Sequence, residues 1–166
     1  MIRKCFLAII SLVLMLFVGS CSKGSYTKER WVYNDVVSID VNENIDKTML
    51  QLYLQEKGAE NINELESILL NEAKTENFFN DFYLFFDGKY AYCYDEIMDR
   101  EATYVYKEID GKVILAYSEY LFEGENVEEN LAPEICPRFV VSEDGKELTF
   151  TYYHIFYYVS IKCVIE

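Results

Sequence analysis

The chain has 166 residues, with 15 Lys and Arg against 29 Asp and Glu, giving a formal charge of −14. It is 51% hydrophobic and 16% aromatic, with 15 Tyr and 11 Phe but only 7 Gly and 2 Pro. These figures exclude a disordered acidic tail, which would be poor in aromatic residues, and a nucleic-acid binder, whose phosphates would be repelled with no basic stretch to offset it. A multi-span membrane protein is also excluded, because a single apolar run is long enough to consider.

That run opens the chain. Arg3 and Lys4 precede an apolar stretch from Cys5 to Val18, broken only by Ser11. A basic start, a short apolar run and small residues after it form a secretory signal, and the run falls short of the roughly 20 residues of a transmembrane helix. It ends in Val18-Gly19-Ser20-Cys21, which resembles the bacterial lipobox, an aliphatic residue and two small ones before Cys. The resemblance implies that residues 1–20 are removed and that the Cys21 thiol takes a diacylglycerol. The lipid bilayer is then a partner, held by two or three acyl chains, because one alone holds only marginally. Loss of Arg3 and Lys4 leaves 13 basic and 29 acidic residues, a charge of −16. Such a body is repelled by anionic lipid and stands off the surface. The expected organisation is a signal peptide over 1–20, a lipidated Cys and tether over 21–30, and one folded domain over 31–166. The expected location is the bacterial cell envelope. Ser22 stands where Asp favours inner-membrane retention in enterobacteria, which points to the outer membrane in a cell that has two.

Trp31–Val41 (WVYNDVVSIDV) reads as a first strand. Ile45, Met49, Leu50, Tyr53 and Leu54 then recur at helical spacing up to Gly58, a C-cap signal. Asn63 and Glu66 stand in a capping-box arrangement before Leu65, Ile68, Leu69 and Ala73. Two helices are predicted, over 46–57 and 64–74. Asp-Gly-Lys then occurs at 87–89, 110–112 and 144–146, each time between β-rich runs. Asp-Gly in such a setting is a strong hairpin signal, because Gly accepts positive φ without steric cost. Three hairpins supply six strands, and Phe156–Ile165 supplies the last. An irregular acidic connection, 123–137, carries both prolines.

Eight sequential antiparallel strands with tight turns predict a mainly β fold, an up-and-down barrel with a two-helix insertion between the first and second strands. Two-residue loops would pair Phe86 with Lys89. Phe82, Leu84, Phe86, Ala91 and Cys93 then share one face, and Tyr83, Phe85, Tyr90, Tyr92 and Tyr94 the other. In the third hairpin Phe139, Val141, Leu148, Phe150 and Tyr152 oppose Thr149 and Thr151.

Trp31 at the start of the first strand, YLFFDGKYAYCYD, EATYVYKEIDGKVILAY and RFVVSEDGKELTFTYY together resemble the small lipocalin-like domains of bacterial lipoproteins. Those carry an N-terminal Trp, an aromatic-Asp-Gly-Tyr hairpin and a late Asp-Gly-Lys hairpin. Lys28-Glu29-Arg30-Trp31 lacks the Gly of the lipocalin Gly-x-Trp. The helix pair is similar to the lid of intracellular fatty-acid-binding proteins. Their late Arg-x-Tyr, however, is matched here only by Arg138-Phe139-Val140, so a carboxylate site of that kind is not expected. The resemblance implies a non-enzymatic module that binds a small apolar or aromatic ligand between the helices and the barrel mouth. Trp31, Phe82, Leu84, Phe86, Phe139, Phe150 and Tyr152 are its candidate lining. The alternative is a filled core in a structural lipoprotein that meets a protein partner through its acidic face or the 123–137 loop.

Other constellations carry less. Asp40, Asn42, Asn44 and Asp46 space oxygens like the start of a calcium loop, but Ile45 replaces the turn Gly and Gln51 the bidentate Glu, so a helix cap is the expected role. No metal, cofactor or catalytic residue is assigned. Of Cys93, Cys136 and Cys163, Cys136 between Ile135 and Pro137 is expected to be the most exposed. His154, the only His, lies among aromatics and is expected to be structural.

Overall fold

The structure, a computed structural model, describes residues 26–42, 44–76, 78–95, 100–124, 126–154 and 156–166. The signal segment, Cys21 and residues 22–25 lie outside the described residues. Eight strands follow in order: β1 (Trp31–Val41), β2 (Tyr83–Phe86), β3 (Tyr90–Asp95), β4 (Arg100–Ile109), β5 (Lys112–Ala116), β6 (Arg138–Val141), β7 (Glu147–His154) and β8 (Tyr157–Ile165). Each pairs antiparallel with the next, and β8 pairs with β1 to close a barrel. Closure removes the unpaired edges that would otherwise recruit other chains.

The helices α1 (Lys47–Lys57) and α2 (Ile62–Thr75) fall between β1 and β2, and a single turn, α3 (Val127–Asn130), falls between β5 and β6. Asp46 caps α1 by accepting from the Thr48 and Met49 amides, and Gly58 ends it at φ 68°. The cap of α2 lies two residues before the expected one. Asn61 accepts from the Glu64 amide at 3.0 Å, and Glu64 reaches back to the Glu60 amide at 2.8 Å. Either pair has the right spacing. The earlier one prevails because it lets Ile62 begin the helix, while Leu65, Leu69 and Ala73 still face the core.

The three Asp-Gly corners join neighbouring strands, each with its own geometry. Only Asp110-Gly111 is a two-residue loop, with φ of 51° and 74° and Ile109 opposite Lys112. Both values are positive, as a type I′ turn requires. At the first corner Phe86 pairs with Ala91 rather than Lys89. There the Asp87 carboxylate accepts from the Lys89 and Tyr90 amides and lengthens the loop. At the third, Ser142 and Glu147 are bonded on either side of a wider turn. The first pairing differs from the expected one by two residues, an even shift, so every side chain keeps its face. Phe82, Leu84, Phe86, Ala91 and Cys93 are buried. On the outer face Phe85 stacks on Tyr92 with centroids 4.7 Å apart, and Tyr83 on Tyr94 at 5.9 Å.

A meander places alternate connections at the same end. The three Asp-Gly corners lie at one end with Trp31 and Ile165, which pair with each other. The helices, the β5–β6 connection and the β7–β8 corner lie at the other. The first end is closed. A 3-10 turn at Tyr26–Lys28 leads into β1, and the Tyr26 ring meets Phe86 and Phe139 edge-on, with centroids 5.5 and 5.4 Å away. The indole N–H of fully buried Trp31 donates to the Tyr26 carbonyl at 3.0 Å.

β1 bends around this core. Its register against β8 shifts between Tyr33 and Asp35 and again between Val36 and Ser38. Each extra residue reverses the alternation, so Trp31, Val36, Ile39 and Val41 all reach the inside. On its other side β1 pairs with β2 only through Trp31 and Val32. Farther along, α2 covers β1, and the Glu66 carboxylate accepts from the Val41 amide at 2.9 Å, so that donor stays satisfied where no ladder continues.

Burial sets an alkaline limit on this fold. It pushes the phenols of Tyr26 and Tyr157 up to about 12, with Glu108 adding to the effect at Tyr26, and it also raises the Cys163 thiol. The unfolded chain releases these protons first, so it holds fewer than the folded one above the ordinary thiol and phenol values, and stability falls as pH rises. Urea midpoints are expected to hold to about pH 9 and then to drop steadily toward pH 12. Tyr26→Phe is expected to show a shallower drop, and equal slopes for the two proteins would show that the Tyr26 phenol ionises freely in the fold.

Candidate functional site

The open end of the barrel holds a cavity of about 240 Å³. Its inner wall is built by strand side chains of inward parity, Cys93 on β3, Ala102 and Tyr104 on β4, and Phe150 and Tyr152 on β7. Tyr117, Tyr153 and His154 form the rim, and Pro133, Glu134, Ile135 and Pro137 cross it as a cover. Small residues make the room: Cys93 faces Ala102 across β3 and β4, where larger side chains would fill the space. The Tyr104 and Tyr117 rings lie 4.8 Å apart, with their hydroxyls 3.3 Å from each other.

The cover is fastened from outside the barrel. Glu134 accepts hydrogen bonds from the Tyr158 hydroxyl and, at 3.4 Å, from the Asn42 side-chain amide. The Tyr158 bond chiefly holds its carboxyl below the usual range, so it is ionised at neutral pH. Behind it the Arg138 guanidinium donates to the carbonyls of Leu131 at 2.6 Å and Cys136 at 3.3 Å.

A second cavity of about 300 Å³ lies between the helix pair and the barrel. Ile39, Val159 and Phe79 meet Tyr53, Leu69 and Ala73 there, and Lys57 bridges to Glu72 at 2.6 Å on its edge. His154 and Tyr157 lie at the β7–β8 corner, and His154 borders both cavities. The Tyr53 ring meets Phe156 edge-on at 4.5 Å, docking α1 over this corner.

Of the seven side chains singled out from the sequence as lining, Phe150 and Tyr152 border the mouth cavity. Trp31, Phe82, Leu84, Phe86 and Phe139 belong to the same continuous core but lie deeper, each at most 8% exposed. The remaining lining residues come from five separate stretches of chain, which no local pattern joins.

Cys136 corrects an expectation. It is fully buried rather than exposed, with its thiol directed at the Asn130 carbonyl at 3.4 Å. Ile114 and Ala116 point outward from β5, and the connection after β5 folds down to cover them with Leu131, Cys136, Leu121 and Phe122. The 123–137 stretch is thus partly a second small core. The signal was present in Val113-Ile114-Leu115-Ala116, a run apolar on both faces, which a one-sided strand does not need. Burial raises the Cys136 thiol, with Arg138 opposing.

The calcium-like run is used locally. Asp40 accepts from Ser38 at 2.8 Å, Asn42 from the Asn44 amide at 3.0 Å, and Asp46 caps α1. Among the described residues no group of three or more His, Cys, Asp or Glu is arranged to hold a metal ion.

Fold and site together define a closed, eight-stranded, antiparallel up-and-down β-barrel with one sealed end and one hollow end. Comparison with family models, curated proteins and solved structures finds no match to this chain.

Proposed function

We propose that this is a lipid-anchored protein of the bacterial cell envelope whose lipocalin-like barrel binds a small apolar or aromatic molecule at its mouth without transforming it. The mouth cavity carries this reading. Such sites are concave, mostly apolar, and fitted with a few polar groups that orient the ligand. Here Phe150 and Ala102 supply apolar wall, and Tyr104, Tyr117 and Tyr153 supply rings with hydroxyls. The lipocalin-like assignment is supported by a buried Trp entering β1 behind a 3-10 turn and by the hairpin motifs of the sequence. The anchor is supported by the basic start, the apolar run and Val18-Gly19-Ser20-Cys21.

Ala102 offers a direct test. Its side chain borders the cavity, and Ala102→Phe places a ring in that space. Native mass spectrometry of the detergent-extracted wild type is expected to show a second species heavier by one small molecule. The same extraction of Ala102→Phe is expected to show the bare protein. A bare mass for the wild type in every preparation would sink the binding reading and favour the filled-core interaction protein.

A further inference from the structure

We propose that the mouth cavity selects an organic cation, an ammonium group carried on an apolar or aromatic body. This deepens the reading of the mouth as a ligand site by assigning the charge of its ligand.

Three observations converge on that charge. The first is the lining itself. Tyr104, Tyr117, Tyr152 and Tyr153 line one small space together with Glu134 and the rim imidazole of His154; among the described lining residues there is no Lys or Arg. The faces of aromatic rings carry the negative part of their quadrupole and attract cations. A desolvated ammonium would find ring faces there, with the ionised Glu134 carboxylate close by in the cover although its Oε1 is bonded to Tyr158 and Asn42, whereas a desolvated carboxylate would meet that same negative charge with no Lys or Arg in the lining to offset it.

The second observation is that neighbouring cations are already committed. The Arg138 guanidinium donates to the Leu131 and Cys136 carbonyls, and Lys57 bridges to Glu72. Lys74 lies 3.3 Å from Asp35. The same geometry that fastens the cover removes Arg138 as an anion receptor.

The third is the field at this end. Between Lys112 and Arg138 the chain carries six Glu and no basic residue, and this is the connection that crosses the mouth. The sealed end is different, because each Asp-Gly corner there offsets its own acid, Asp87, Asp110 or Asp144, with a Lys, at Lys89, Lys112 and Lys146. The negative charge is therefore weighted toward the opening. A concave site walled by low-dielectric rings focuses such a field and concentrates counter-ions at its entrance. A neutral ligand would gain the apolar contact alone, and an anion would lose on the field as well.

Three probes with one ring and one chain length separate the possibilities: 2-phenylethylammonium, 2-phenylethanol and phenylacetate. Titration calorimetry at low ionic strength on the detergent-solubilised full chain, with matched detergent blanks, reads all three. The ammonium is expected to bind about fivefold more tightly than the alcohol and at least tenfold more tightly than phenylacetate. Glu134→Gln, a change at an exposed residue, is expected to remove most of the preference over the alcohol. Alcohol or phenylacetate binding as tightly as the ammonium overturns the assignment of charge while leaving a ligand site in place. An undiminished preference in Glu134→Gln overturns the role given to that carboxylate. No saturable heat from any of the three overturns both the charge and the reading of the mouth as a site.

Discussion

Truncating Trp31 to alanine is expected to lower the unfolding free energy by about 3–5 kcal/mol, the range for removing a large buried ring when its surroundings relax only in part. Three losses fall on one residue. The indole is fully buried among the side chains that fill the sealed end. Its N–H is the donor to the Tyr26 carbonyl at 3.0 Å, so truncation leaves that carbonyl without this partner. Tyr26 in turn packs edge-on against Phe86 and Phe139, and the 3-10 turn that carries it is held by the same bond. Domains of this size have only about 5–15 kcal/mol in hand, so a loss of this size removes about a fifth of the total or more. Trp31→Phe separates the parts. It keeps most of the ring and gives up the N–H, and it is expected to cost about 1–3 kcal/mol, the penalty for a buried polar group left unmade. Urea unfolding followed by far-ultraviolet circular dichroism measures both, since the only Trp is the one removed. A loss below about 1 kcal/mol for Trp31→Ala would mean that the sealed end repacks freely and does not depend on this ring.

How much of this was readable beforehand follows from parity. Side-chain direction in a strand has period two, so an error of two residues in pairing leaves every face intact. That is why the inward set Phe82, Leu84, Phe86, Ala91 and Cys93 survives a first corner that differs from the expected one. The bulges of β1 were not readable in the same way. They change the count by one, and the adjacent Val36 and Val37, one buried and one exposed, are the only sign of them in the sequence. The cap of α2 was ambiguous because Asn61 and Asn63 each have a Glu three residues on. Burial of Cys136 is not legible in the composition of its own loop, which is flanked by prolines. The deciding fact lay in the outward residues Ile114 and Ala116, which needed a cover. The mouth cavity was least legible of all. Its room comes from Cys93 facing Ala102 and its cover from a connection thirty residues away, and only the closed barrel brings these together.

The sealed end also says how the protein would stand on a membrane, and Cys21→Ser is expected to move it wholly from the membrane fraction to the soluble one. Four residues separate Cys21 from Tyr26, where the described chain begins, and an extended chain spans at most about 3.6 Å per residue. A lipid on Cys21 would hold the three Asp-Gly corners near the headgroups and leave the mouth facing away. Charge runs the same way, with the corners at the sealed end balanced, each Asp by its Lys89, Lys112 or Lys146, and the glutamate-rich connection at the other. Each buried methylene contributes about 0.8 kcal/mol, so two or three acyl chains outweigh the repulsion of an acidic body from anionic lipid. Without the thiol there is nothing to acylate, and among the described residues no helix is long and apolar enough to cross a bilayer. Fractionation followed by mass analysis of the N-terminus reads the outcome. The wild type is expected to begin at Cys21 with fatty acid attached, and the Ser variant to be soluble in the compartment outside the inner membrane or to keep its signal segment uncleaved. A wild-type N-terminus free of fatty acid, or a Ser variant that is cleaved and still sediments with membranes, would show that the barrel meets the bilayer by some other surface.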